Sequence, residues 1–206
     1  MNEIKARVEQ LRAQMKAHGV DAYIVPTSDF HETEYVCDHF KAREYMSGFT
    51  GSAGTCVFTA DAAKLWTDGR YFIQAAKQLE GSGIELMRMG DEGVPTIEAY
   101  LCDVLPAHAT LGFDGRVMNT AMVERLCAQL SEVTISCDMD LVGAIWHDRP
   151  ALPASKTFEL AQRYTGKSAA QKLSEVREAM AEAGADIHII TRVDDIAWLL
   201  NMRADD

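Results

Sequence analysis

Cysteine is scarce in this 206-residue chain and follows no pattern. The five cysteines are scattered and include no Cys-x-x-Cys pair, so neither a disulfide framework nor a zinc cage is indicated. We expect reduced thiols in a reducing compartment.

Long apolar runs are also absent. No stretch approaches the ~20 residues that a membrane-spanning helix needs. The first nine residues are too charged for the apolar core of a signal peptide. These features predict a soluble, cytoplasmic protein with no membrane partner.

Basic residues are outnumbered. The chain has 20 Lys+Arg against 31 Asp+Glu, a formal charge of −11. Binding a nucleic-acid backbone needs clustered Lys and Arg, so we expect no nucleic-acid partner. The composition, 48% hydrophobic and 25% charged, is otherwise that of a globular protein able to bury a core.

Helical and strand patterns alternate along the first 147 residues. Apolar residues at helical spacing from Ile4 to Met15 predict an opening helix that ends near Gly19. The predicted elements that follow are strand 21–26, a hairpin of strands 55–59 and 64–67, helix 71–79, strand 84–89, helix 96–105, strand 111–113, helix 120–130 capped by Asn119, strand 133–136 and a short helix ending at Trp146. This order predicts an α/β domain with helices flanking a mixed sheet.

The segment from His147 to Pro153 carries two of the five prolines and no periodicity, as is typical of a linker. We therefore expect a first domain over 1–147, a linker over 148–168 and a second domain from 169 to 206. In the second domain the pattern predicts a helix ending at Gly184, a strand over 186–190 and a helical turn within 195–202.

The second domain repeats the opening of the chain at an offset of 165 residues. The matching pairs are Arg12 and Arg177, Met15 and Met180, Gly19 and Gly184, Asp21 and Asp186, Ile24 and Ile189, and Asp29 and Asp194. This pattern favours a duplicated domain whose second copy is incomplete. Because a lone helix and strand cannot bury their apolar faces, we expect the chain to be a fragment of a longer protein or to be completed by a partner.

Ser47–Thr55 is the most glycine-dense segment. It has neither the Walker ending nor the dinucleotide-binding order of glycines, and it is no nucleophile elbow. Two interpretations stay open: a tight turn whose glycines supply positive φ, or a functional loop whose backbone approaches a ligand or another chain.

The turn at Asp68-Gly69 places Arg70 at the start of a predicted helix, where the helix dipole disfavours a cation. Either a carboxylate partner or a ligand would explain its position.

Acidic and histidine residues offer weaker candidates. His31 and His39 are eight residues apart, too far to share one ion on a helix, which favours a polar surface segment over a metal site. The carboxylates near predicted strand ends would suit a metal-dependent nuclease, although acidic residues also favour turns. They are Asp29, Asp68, Asp114 and Asp138.

Several motifs together carry a family resemblance. They are residues 21–26 (DAYIVP), 47–55 (SGFTGSAGT), 66–75 (WTDGRYFIQA), 145–150 (IWHDRP), 164–168 (YTGKS) and 194–203 (DDIAWLLNMR). In this order they resemble the N-terminal region of the long, three-domain Xaa-Pro aminopeptidases (aminopeptidase P), of the creatinase/prolidase superfamily. One departure is Arg203-Ala204-Asp205, where a glycine commonly follows the arginine.

The resemblance implies two ribonuclease H-like domains ahead of a catalytic domain, which would explain the repeat. That catalytic domain binds two divalent metal ions, usually manganese, through two Asp, one His and two Glu. No position here matches those ligands, so we expect no cofactor and no catalysis in this chain. The parent enzyme would remove the N-terminal residue that precedes proline in peptides.

The resemblance also implies a homodimer and a role for the N-terminal domain in shaping the active site. Arg70 is then the residue expected to reach substrate, as a cation for a peptide carboxylate or carbonyl. Tyr71 and Phe49 are weaker candidates.

Two rival functions remain. One is a freestanding ribonuclease H-like nuclease using Asp29, Asp68 and Asp114, against which the charge of −11 argues. The other is a pure interaction module that binds a partner through Arg70 and the loop from Gly48 to Gly54.

Overall fold

The computed structural model describes residues 3–204 and divides into two compact units. Unit 1 comprises residues up to 30 and 34–150, and unit 2 comprises residues 31–33 and 151 onward. Asp205 and Asp206, which the expected second domain includes, lie outside the described residues. No helix among the described residues is both long and apolar enough to cross a lipid bilayer.

Unit 1 is built on a six-stranded sheet. Its elements are α1 (Glu3–His18), β1 (Ala22–Pro26), α2 (Ala42–Ser47), β2 (Thr55–Thr59), β3 (Ala63–Thr67), α3 (Phe72–Gln78), β4 (Glu85–Arg88), α4 (Ile97–Val104), β5 (Thr110–Phe113), α5 (Thr120–Gln129), β6 (Thr134–Ser136) and α6 (Leu141–Ile145). The strand order is β4-β3-β2-β1-β5-β6. Strand β2 is antiparallel to both neighbours, and the other pairs are parallel. The predicted mixed α/β fold is confirmed.

Both faces of the sheet are covered. Side chains of a strand alternate between faces, so Tyr23 joins a core cluster with Leu11 of α1, whereas Ile24 joins the cluster on the other face with Leu101 and Leu126. Burial on both sides explains why the central strands read as continuous apolar runs.

The direction of the strands determines where loops meet. Strands β1, β3, β4, β5 and β6 run the same way, and only β2 opposes them. Their carboxyl ends therefore lie at one edge of the sheet, together with the loop that leads into β2. Loops at this edge are the usual place for ligand sites in α/β proteins.

Unit 2 contains β7 (Phe158–Glu159), α7 (Gln162–Thr165), α8 (Ala169–Glu182), α9 (Val193–Leu200) and β8 (Met202–Arg203). Strands β7 and β8 pair with each other, so part of the segment expected as a linker has regular structure. Helix α8 begins with a capping box formed by Ser168 and Gln171, and Gly184 follows its end at φ +66°.

The strand predicted over 186–190 is wrong. These residues form no strand, and Ile187 and Ile189 are each 79% exposed. A strand needs a neighbour to accept its backbone hydrogen bonds, and within unit 2 no strand pairs with this segment among the described residues. The alternating pattern is present, but the described residues of unit 2 supply no strand to pair with it.

The internal repeat extends to side-chain contacts within each unit. In unit 1, Arg7 donates to the Tyr45 carbonyl at 2.7 Å and lies 4.0 Å from that ring's centroid. In unit 2, Lys172 donates to the Trp198 carbonyl at 2.7 Å and lies 4.4 Å from its ring. Positions 7 and 172 are separated by the repeat's offset, and each aromatic residue lies three positions before a left-handed C-cap. The caps are Gly48 and Asn201. This shared arrangement supports duplication.

Candidate functional site

The loop of residues 48–54 connects α2 to β2 at the carboxyl-end edge of the sheet. Gly48 ends α2 at φ +71°, as expected of a glycine that supplies a positive φ. Gly51 serves a different purpose, because a Cβ there would lie 2.3 Å from the Phe49 ring and 2.8 Å from the Tyr71 ring. Gly54 likewise has no left-handed φ. The expectation of positive φ therefore holds for one of the three glycines in the 48–54 loop.

A buried arginine holds this loop through hydrogen bonds to its backbone carbonyls. Arg43 of α2 is 4% exposed, and its guanidinium donates to the carbonyls of Phe49 and Gly51 and, at 2.9 Å, to the hydroxyl of Thr27. It also lies 4.6 Å from the Phe49 ring centroid. Burial lowers the pKa of Arg43, and among residues 3–204 its guanidinium makes no hydrogen bond to a carboxylate that would offset this effect.

Sequence reasoning missed Arg43. The available signal was an arginine at three-residue spacing from Phe40 and Met46, both buried, which places it on an inward face. A charged residue at the same spacing as buried apolar residues indicates a buried cation whose hydrogen bonds are accepted by groups in the protein interior.

Two threonines hold the second half of the loop. The buried Thr67 donates to the Ala53 carbonyl at 2.7 Å, and the Gly54 carbonyl accepts from the backbone N–H and the hydroxyl of Thr27, both at 2.9 Å. Four carbonyl groups of the loop, those of Phe49, Gly51, Ala53 and Gly54, thus accept hydrogen bonds from donors on its inner side, and these bonds hold the loop against unit 1.

The three residues expected at the site lie in a row that leads from the core to the surface. Phe49 is fully buried, and its ring meets the Tyr71 ring edge to face at 5.8 Å. The Tyr71 hydroxyl lies 2.7 Å from the Ser52 hydroxyl. Arg70 lies 5.2 Å from the Tyr71 ring centroid and its side chain is 64% exposed. Arg70 alone among the three is well exposed.

Arg70 has a carboxylate partner. Its Nε and Nη2 donate to the two oxygens of Asp68 at 2.9 and 2.8 Å, and its backbone N–H donates to Oδ1 at 3.0 Å. These hydrogen bonds hold the pKa of Asp68 below its ordinary value and raise that of Arg70. Arg70 precedes Tyr71, the N-cap of α3, so the carboxylate offsets the unfavourable helix dipole.

The same tripeptide recurs at the end of β5. Arg116 donates to the two oxygens of Asp114 at 2.9 and 2.8 Å, with its backbone N–H at 3.0 Å from Oδ1. Arg116 also reaches a second carboxylate, Asp140, at 3.1 Å. The local geometry is thus a property of Asp-Gly-Arg after a strand. Sequence reasoning missed this repetition, although both copies are visible in the sequence.

Two clefts flank the 48–54 loop. The polar cleft, of about 380 Å³, is lined by Glu34, Tyr35, Arg43 and residues 50–52. Its Tyr35 is exposed, and the nearby Glu34 carboxylate raises the pKa of that phenol. The apolar cleft, of about 450 Å³, is lined by residues 53–55 together with Met89, Val94, Pro95, Ile97 and Met122.

The four candidate carboxylates are not grouped as a metal site in the described part of the chain. Within residues 3–204 no group of three or more His, Cys, Asp or Glu side chains is placed to hold a metal ion. Asp68 and Asp114 are each bound by an arginine, and the His39 ring contacts the Pro150 carbonyl at 2.7 Å. The donor set of residues 3–204 therefore does not fit a dinuclear metal centre, which the resemblance assigns to the catalytic domain and not to this part of the chain. Nor does it fit the nuclease hypothesis, which needs these carboxylates as ligands.

Comparison with known proteins gives consistent matches. Two family models, both described as Creatinase/Prolidase N-terminal domain, match residues 7–142 and 148–206. Xaa-Pro aminopeptidase 1 of Dictyostelium discoideum is 39% identical over 98% of the chain, and Aminopeptidase P2 of Arabidopsis thaliana is 41% identical over 91%.

A solved structure is similar along the whole chain. It is the X-prolyl aminopeptidase of Caenorhabditis elegans, described as a cytosolic enzyme with a di-nuclear active site. It is 29% identical, covers 100% of this chain and superposes with a TM-score of 0.86, while this chain covers 35% of it. The chain also spans 34% of the Dictyostelium protein and 27% of the Arabidopsis protein, so it covers about a third of its relatives.

Proposed function

The chain belongs to the creatinase/prolidase N-terminal domain family, and on that premise we propose that it is the non-catalytic N-terminal region of a metal-dependent Xaa-Pro aminopeptidase. The observation that carries the proposal is the continuous similarity to Xaa-Pro aminopeptidases, which covers 98% of this chain but 34% of the Dictyostelium relative. The activity of such an enzyme would then reside largely in the part of the relatives that this chain does not span.

The proposed reaction removes the N-terminal residue that precedes proline in a peptide. The amide before proline is tertiary and a poor electrophile, so two divalent metal ions, as in the di-nuclear relative, would supply an activated water. We propose manganese, bound outside residues 3–204. The chain described here would contribute binding and shape, and would have no turnover alone.

Within this role Arg70 is proposed to contact the peptide. Its side chain is 64% exposed, and its guanidinium donates to Asp68 through Nε and Nη2, while Nη1 has no hydrogen-bond partner among the described residues. A peptide carboxylate or carbonyl oxygen would accept from it. Tyr71 supports the guanidinium with its ring, and the buried Phe49 acts only through its packing against Tyr71.

A homodimer and a cytoplasmic location complete the proposal. The location is supported by the C. elegans relative, which is described as cytosolic. The dimer rests on the resemblance alone, and sedimentation across a concentration series tests it.

The experiment compares two matched arginines in the full-length enzyme that carries this chain. Arg70→Gln should raise KM for an Xaa-Pro peptide by about tenfold and leave kcat within about twofold, because a charged hydrogen bond to bound substrate is lost. Arg116→Gln is the control, since it removes the same Asp-Gly-Arg pairing at another strand end.

Equal KM values for the two variants would contradict a substrate contact by Arg70. Release of the N-terminal residue by the isolated chain with manganese would contradict the non-catalytic assignment.

A further inference from the structure

One hydrogen bond fixes the direction of a peptide unit in the 48–54 loop. The Gly51 carbonyl accepts from the buried Arg43 guanidinium. In a planar trans peptide the C=O and N–H point in opposite directions. The N–H of Ser52 belongs to the same peptide unit as that carbonyl, so it points away from Arg43.

The Ser52 N–H has no acceptor among the hydrogen bonds of residues 3–204, although the Ser52 hydroxyl is bound to Tyr71. Ser52 is half-buried and lines the polar cleft. The loop therefore presents a backbone donor of fixed direction at Ser52, on the side away from Arg43.

Arg43 also strengthens this donor. A cation hydrogen-bonded to a carbonyl polarises its peptide unit, and hydrogen bonds in such a chain reinforce one another. Because Arg43 is 4% exposed and bonded here to neutral acceptors, its charge is only weakly screened by water.

A second hydrogen-bond donor, the Arg70 guanidinium, is connected to Ser52 through Tyr71. The Tyr71 hydroxyl contacts Ser52 at 2.7 Å, and the Arg70 guanidinium lies 5.2 Å from the Tyr71 ring centroid. A backbone N–H and an exposed guanidinium thus flank one tyrosine.

We infer that the Ser52 N–H, held in place by Arg43, binds an acceptor oxygen of a peptide ligand that also reaches Arg70. The inference rests on the proposed peptide-binding function. The oxygen belongs either to the C-terminal carboxylate or to a main-chain carbonyl of the peptide. Arg43 is a positioning residue here, because it touches the loop and not the ligand.

The test is an NMR titration of the ¹⁵N-labelled 206-residue chain with the tripeptide Ala-Pro-Leu and with its C-terminal amide. The Ser52 amide proton should move downfield and saturate. A carboxylate contact would make the amide-capped peptide bind about tenfold more weakly, whereas a carbonyl contact would leave the two peptides equal.

Two variants at position 52 separate the backbone donor from the side chain. Ser52→Pro removes the N–H and should weaken peptide binding by about tenfold, whereas Ser52→Ala keeps the N–H, loses only the hydroxyl contact with Tyr71 and should weaken binding by less than about twofold. Circular dichroism and the dispersion of the amide spectrum check that each variant is folded.

Three results would overturn the inference: no binding up to the solubility limit of the peptides, shifts confined to Ala53 and Gly54 in the apolar cleft, or equal losses in the two variants. The readout is a resonance of the isolated chain, so it is independent of the KM comparison at Arg70. An effect of Arg70→Gln on KM without a Ser52 shift would leave the proposed function standing and reject this site.

Discussion

Arg70 and Asp68 form a two-point ion pair, with Nε and Nη2 of the guanidinium 2.9 and 2.8 Å from the two carboxylate oxygens. The pair spans one residue, Gly69, and recurs at Asp114 and Arg116. Because the same contact forms twice on local geometry alone, it fixes the direction of Arg70 without help from a ligand. Under the proposed function, Arg70 is therefore already oriented before a peptide binds, which would lower the entropic cost of binding.

The ion pair predicts a pH effect. The pKa of Asp68 is below its ordinary value, chiefly through the hydrogen bonds from Arg70. The resulting stabilisation is present above the ordinary Asp pKa and is lost as the pH falls through the lowered pKa of the folded state. In Arg70→Gln the Asp68 pKa should rise toward ordinary, as measured by ¹³C NMR of its carboxyl carbon. An unchanged pKa would show that Arg70 does not hold this carboxylate in solution.

Arg43 predicts a loss of stability. Arg43→Met leaves the carbonyls of Phe49 and Gly51 and the hydroxyl of Thr27 without their donor. The free energy of unfolding, measured with urea, should fall by about 2–4 kcal/mol. In Arg43→Lys the free energy of unfolding should fall by less, because the ammonium keeps the charge. Some loss is still expected, because an ammonium cannot donate to all three acceptors as the planar guanidinium does.

Arg125→Met is the matched control for Arg43. Arg125 is exposed and makes one contact of 3.3 Å with Glu98, so its loss should cost less than about 1 kcal/mol. Similar losses for the two methionine variants would mean that the buried contacts of Arg43 do not stabilise the loop.

Adding a side chain at Gly51 should create a steric clash that lowers stability. In Gly51→Ala the new methyl would lie 2.3 Å from Phe49 and 2.8 Å from Tyr71, so the two rings must move apart. We expect a loss of about 1–3 kcal/mol in the free energy of unfolding. Gly69→Ala is the control, because its nearest atom, in Phe72, is 3.8 Å away and the change should be within about 0.5 kcal/mol. Equal melting temperatures would contradict the close packing of the two rings against the loop.

Periodicity and turn residues predicted most elements of unit 1, because those elements are locally consistent, but they missed helix α2 (Ala42–Ser47), which carries Arg43. The hairpin of β2 and β3, and the Asn119 cap, whose side chain accepts from Met122, follow from nearby residues alone. The strand predicted at 186–190 shows the limit of such reasoning. A strand depends on a partner that lies elsewhere in sequence, and alternation cannot reveal whether that partner is present.

The site was harder to predict than the fold. Arg70 was recognisable because it stands against the helix dipole in its own turn. Arg43 was not, because its acceptors are backbone carbonyls, and any residue type carries a carbonyl. The direction of the Ser52 N–H likewise depends on a contact between Arg43 and Gly51, which are eight residues apart in sequence.

The thiols provide a final test of the core. Cys102, Cys127 and Cys137 are exposed, Cys37 is half-buried and Cys56 is buried. Burial raises the pKa of the Cys56 thiol to about 12, and the thiolate is the reactive form, so Cys56 should be inert at pH 8. Ellman's reagent should modify the three exposed thiols rapidly, Cys37 more slowly, and Cys56 only after unfolding in urea. In Cys56→Ala the thiol that reacts only in urea should be absent, and the other four should react as before. Rapid modification of Cys56 in the native chain would show that β2 is not buried as described.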